Sequence, residues 1–84
     1  MTKVFLENLQ KGISKADMGT IAGLWEHMKY AERVDIEIIC ERKGIALSLH
    51  NIAKLLSENE GILKAVYENA AGAEKRDLEA LAML

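Results

Sequence analysis

Residues 40–69, CERKGIALSLHNIAKLLSENEGILKAVYEN, decide the fold of this chain. Lys43-Gly44 reads as a helix stop, because a helix often ends on a left-handed residue and glycine adopts that conformation without a Cβ clash. Ser48 fits the N-cap of the next helix, where a hydroxyl accepts from a free backbone amide. From there Leu49, Ile52, Leu56, Leu63, Val66 and Ala70 recur at helical spacing. The stripe has one gap, at Asn59 and Glu60, and there Ser57-Glu-Asn-Glu60 fits a capping box. Two readings follow: one long helix over 49–71, or two helices meeting at Ser57. Gly61 weakens the first by about 1 kcal/mol relative to alanine.

Upstream, residues 34–49, VDIEIICERKGIALSL, carry two patterns at once. Val34, Ile36 and Ile38 alternate with acids, and Ile45, Leu47 and Leu49 alternate again, which is a hairpin signal. The competing reading is a helix from Asp35 to Lys43 with Ile36, Ile39, Cys40 and Lys43 on one face, stopped by Gly44 with Ile45 packing back. The helix is preferred, since both neighbours read as helical and an isolated two-stranded hairpin is marginal. Further upstream, Thr2 to Lys11 reads as a short helix with Val4, Phe5 and Leu9 on one side and Gly12 after its end. Ser14-Lys-Ala-Asp17 fits a capping box for a second helix, whose apolar stripe is Met18, Ile21, Ala22, Trp25, Met28 and Ala31. Downstream, residues 70–75 read as a short connection and residues 76–84 as a closing helix with Leu78, Leu81 and Ala82 inward. The fold expected is a single all-α domain over residues 1–84, a bundle of four or five helices.

Composition narrows the chemistry. With 84 residues the domain is small, burying only about 60–65% of its unfolded surface. One cysteine, Cys40, allows no internal disulfide, and His27 and His50 lie far apart without metal-ligand spacing. Oligomerisation remains as a source of extra burial, and half of the residues are hydrophobic, so a homodimer is expected. No catalytic residue, metal ligand or cofactor motif emerges: no base stands beside a nucleophile, and the six glycines are dispersed rather than gathered into a phosphate-binding loop. Eleven basic and thirteen acidic residues leave no basic footprint of the kind nucleic-acid binders show. The N-terminal apolar run is too short for a signal peptide or a membrane span, and with the free cysteine this points to the cytoplasm.

Read as helix, stop, helix, turn, helix, residues 36–84 resemble the lambda-repressor-like helix-turn-helix family. Ile36 to Gly44, IEIICERKG, looks like that family's first helix, and Ser48 to Leu56 resembles its second, with Ile52-Ala53 at the apolar-alanine pair. Leu63 and Val66 fall at the buried positions of a recognition helix, Tyr67-Glu68-Asn69 is similar to the ending that follows, and Asp77 to Leu84 resembles the closing leucine-rich helix. The resemblance implies a DNA-binding regulator, with His50, Asn51, Asn59 and Lys64 as the side chains able to reach bases or phosphates. Ser57 and Glu58, however, stand where the family's turn offers glycine and a buried aliphatic residue, and residues 58–69 contain one lysine against three glutamates. The first expectation is therefore a non-enzymatic regulator or inhibitor acting by protein–protein binding, on itself and on an unidentified protein. Aromatic residues and methionine are enriched at interfaces, so Met18, Ile21, Trp25, Met28 and Tyr30 are the candidate contact residues. DNA binding is the alternative.

Overall fold

The computed structural model describes residues 2–84, and in it each of the first four helices starts where an acceptor closes the opening turn. Helix α1 (Lys3–Lys15) is capped by Thr2, whose hydroxyl accepts from the Phe5 amide at 3.1 Å. Helix α2 (Met18–His27) is capped by Asp17, which accepts from the Thr20 amide at 2.7 Å. At the start of α3 (Tyr30–Lys43) the Glu32 carboxylate reaches back to the Lys29 amide. Ser48 caps α4 (Leu49–Glu58), accepting from the Asn51 amide at 3.2 Å. After the single residue Asn59 comes α5 (Glu60–Asn69), and α6 (Ala73–Leu81) follows Gly72, which has φ 59°.

The described residues thus form six helices and no strand, one helix more than the largest number expected from the sequence. The helix reading holds over residues 35–43, although α3 begins at Tyr30, five residues before the expected start at Asp35. Gly44 sits at φ 67°, its amide donates to the Glu41 carbonyl at 3.2 Å, and the Ile45 amide donates to the Cys40 carbonyl at 3.0 Å. That pair of bonds is the Schellman ending. The stripe of residues 18–31 is split, because Met28 and Lys29 are both extended, so Ala31 belongs to α3 rather than α2. Residues 49–71 are also two helices, with the break at Asn59 rather than Ser57. Ser57 caps nothing there, since its hydroxyl donates back to the Lys54 carbonyl at 2.8 Å. Ser14 likewise donates to the Lys11 carbonyl, and Asp17 alone caps α2.

The inward side of α1 is Leu6, Leu9 and Ile13, with Phe5 half-buried and Val4 exposed. Gly12 does not end this helix. It lies buried inside α1 and lets the backbone of α6 come against it: a Cβ there would stand 1.8 Å from the Leu81 carbonyl oxygen. Helix α4 is the central element, touching α1, α2, α3 and α5. Its Ile52, Leu55 and Leu56 join Leu9, Ile13, Ile21, Ile36, Leu63 and Leu78 in the core. The closing helix starts at Ala73, three residues before the sequence reading placed it, and buries Leu78 and Leu81.

Candidate functional site

Helix α3 packs against α4 and α5 through Glu32, Ile36 and Cys40, which are spaced four apart and buried. A helix packed on one side normally turns polar residues to water on the other. Here the opposite side carries Tyr30, Val34 and Ile38, again spaced four apart. Tyr30 is 83% exposed, Ile38 is 40% exposed and Val34 is half-buried. The segment that follows adds Ile45 at 37% and Leu47 at 48% exposure. The same alternation of Val34, Ile36 and Ile38 that read as strand-like thus describes a helix with apolar residues on both faces.

Of the contact residues expected from the sequence, Ile21 and Met28 are buried in the core of the chain itself. Trp25 is half-buried at the α2–α3 joint. The Arg33 guanidinium stands 5.4 Å from its ring centroid, and Arg33 Nε donates to the Trp25 carbonyl at 3.0 Å. Met18 and Tyr30 are the two that reach solvent. The outward residues that the sequence reading missed are Val34, Ile38, Ile45 and Leu47. Their signal lay in the surplus apolar positions of residues 34–49, beyond what one helix face needs.

The α4–α5 unit places the candidate DNA contacts as follows. Leu63 and Val66 face inward, and the outward face of α5 carries Glu60, Lys64 and Glu68. Lys64 Nζ lies 3.8 Å from Glu68 Oε1. Asn51 Nδ2 donates to the Ala46 carbonyl at 2.8 Å, and Asn59 Nδ2 donates to the Leu55 carbonyl at 2.7 Å. Two of the four side chains are thus held by their own backbone, one neighbours an acid, and His50 is exposed.

No family model, curated protein or solved structure matches this chain. Among the described residues no group of three or more histidine, cysteine, aspartate or glutamate side chains could hold a metal ion, and no helix is long and apolar enough to cross a membrane. Cys40 is a buried thiol.

Proposed function

We propose that this protein is a small non-enzymatic regulator or inhibitor that works by protein–protein binding through the outer face of α3, with a second copy of itself as one partner. The observation that carries the reading is the double-sided apolarity of α3. Its inner stripe packs into the core, whereas the outer Tyr30–Val34–Ile38 stripe, with Ile45 and Leu47 beyond it, lies outside the core cluster and leaves much of its apolar surface uncovered. Exposed apolar side chains grouped on one element mark contact surfaces more often than scattered ones do.

The test is light scattering across protein concentration, on the wild type and on Ile38→Glu. Ile38 is partly exposed, so the charge is tolerated by the fold but not by an apolar interface. Dimerisation that rises with concentration and disappears in Ile38→Glu supports the reading. A chain that stays monomeric at millimolar concentration refutes the self-partner. Helix-turn-helix DNA binding is the second reading, favoured by the separation of α4 and α5 into two helices at Asn59. The acidic outward face of α5 speaks against it, since contact with phosphates calls for cations. A titration on random duplex DNA at roughly 50 and 200 mM salt discriminates, because phosphate contacts produce weak binding that falls steeply with salt. No binding at the lower salt removes the DNA reading.

A further inference from the structure

On the side of the molecule formed by α2 and α6, the two helices face each other across a cleft of about 600 Å³. That volume lies within the range of small-molecule sites. Its apolar walls include Val66, Leu78 and Leu81. On the α2 side Gly23 lines the cleft without a side chain, and a Cβ placed there would meet nothing within 4 Å. The rim is linked by His27 Nδ1 and Glu74 Oε1 at 3.3 Å.

Glu32 also lines this cleft and is only 4% exposed, the one charged residue buried among the described residues. One carboxylate oxygen accepts from the Lys29 backbone amide and the other from Asn69 Nδ2 at 3.3 Å. Both donors are neutral. Lys15 and Lys29 line the cleft as well, yet neither ammonium group comes within ion-pair distance of Glu32. A buried charge is ordinarily balanced by an opposite one, because leaving it alone in a low-dielectric setting is costly. An ionised carboxylate offers about four acceptor sites, of which two are used here.

We infer that the α2–α6 cleft is a binding site for a small organic cation: a primary ammonium on an apolar alkyl or aryl body, with Glu32 as its counter-charge. The apolar walls take the body, and the ammonium supplies the donors that Glu32 lacks. The site is separate from the outer face of α3, since Glu32 lies on the inner side of that helix.

The probes are hexylammonium, hexanol and hexanoate, titrated into the full chain and followed by amide chemical shifts. The expected order is ammonium first, alcohol about tenfold weaker and carboxylate weakest, as a charge-assisted hydrogen bond exceeds a neutral one by roughly that factor. Glu32→Gln keeps an acceptor for the Lys29 amide, so α3 still starts normally, and the ammonium and alcohol should then bind alike. Gly23→Leu places a side chain in open space within the cleft and should abolish binding of all three, with the far-ultraviolet circular dichroism unchanged. The inference is overturned if the three probes bind alike or not at all, if the ammonium preference survives Glu32→Gln, or if Gly23→Leu leaves binding intact. It is also overturned if Gly23→Leu dissociates a dimer, since a second copy would then occupy the cleft.

Discussion

The same substitution, glycine to alanine, should have opposite effects at two helical positions of this chain. At Gly12 the new Cβ would lie 1.8 Å from the Leu81 carbonyl oxygen and 2.6 Å from its carbon. Carbon–oxygen contacts settle at about 3.3 Å or more, so α6 must retreat by roughly 1.5 Å. The atoms in the way are backbone, so no rotamer change relieves the clash. Retreat loosens Leu78 and Leu81, each worth about 2 kcal/mol when fully buried. Overpacking alone costs about 1–3 kcal/mol, while alanine returns about 1 kcal/mol of helix propensity. The net expectation for Gly12→Ala is a loss of about 2–3 kcal/mol. At Gly23, inside α2 with nothing within 4 Å, only the propensity remains, and Gly23→Ala should gain up to about 1 kcal/mol. Urea unfolding followed by circular dichroism measures both. With a slope of about 1 kcal/mol/M for so small a domain, the Gly12→Ala midpoint should fall by roughly 2–3 M or the chain should be unfolded without urea. If Gly12→Ala unfolds at the wild-type midpoint, α6 does not pass against α1 at Gly12, and the placement of the closing helix is wrong.

Three other measurements probe separate elements. Gly44→Ala should destabilise the end of α3 by about 1–2 kcal/mol, read as a lowered urea midpoint, because φ 67° is strained for any residue with a Cβ. Asp17 has its carboxyl held below the usual 3.8 by the Thr20 amide it caps. A folded-state value lower than the unfolded one means that its stabilisation is complete above the unfolded value and disappears as pH falls through the folded value. The acid limb of the stability–pH curve should therefore flatten in Asp17→Asn, where an equally good cap no longer titrates. Cys40 is buried, so an aromatic disulfide reagent should label it only as fast as the protein opens; labelling at the rate of a free thiol would place α3 away from the core.

Local chemistry made part of the fold legible. Ser48 and Gly44 mark helix ends through groups within five residues of themselves, so their roles follow from the sequence alone. Gly12 shows where that logic stops. A glycine after a helical run fits a left-handed ending as well as it fits a place where another helix passes close, and only the arrival of α6 sixty-nine residues later decides between them. The bend at Met28 and Lys29 had no marker either, because no proline or glycine stands there and Lys29 supplies no capping side chain. The acceptor is Glu32, which is fixed in turn by Asn69 from α5. The cleft between α2 and α6 was invisible for the same reason, since its walls come from five separate helices. Ile38 was conspicuous as an apolar residue off the α3 stripe, but an outward position and a second buried side look identical in one sequence.

The exposed surface also limits how strong any α3-mediated dimer can be. Tyr30, Ile38, Ile45 and Leu47 together expose the equivalent of about two whole side chains per protomer. At about 2 kcal/mol for each, burying them on both protomers contributes roughly 8–9 kcal/mol. Association costs about 4–15 kcal/mol in lost motion before any side-chain ordering. The most favourable balance, near −4 to −5 kcal/mol, corresponds to a dissociation constant of about 1 mM down to about 0.2 mM. Self-association through this face alone is therefore weak, and the scattering experiment has to reach millimolar protein to test it. A dimer that persists at nanomolar concentration would require a second contact surface beyond α3. A foreign partner that binds tightly must likewise bury more than this stripe, and Met18, exposed at the start of α2, and Val4, exposed on α1, are the apolar side chains on other helices from which such an extension can be sought by charge substitution.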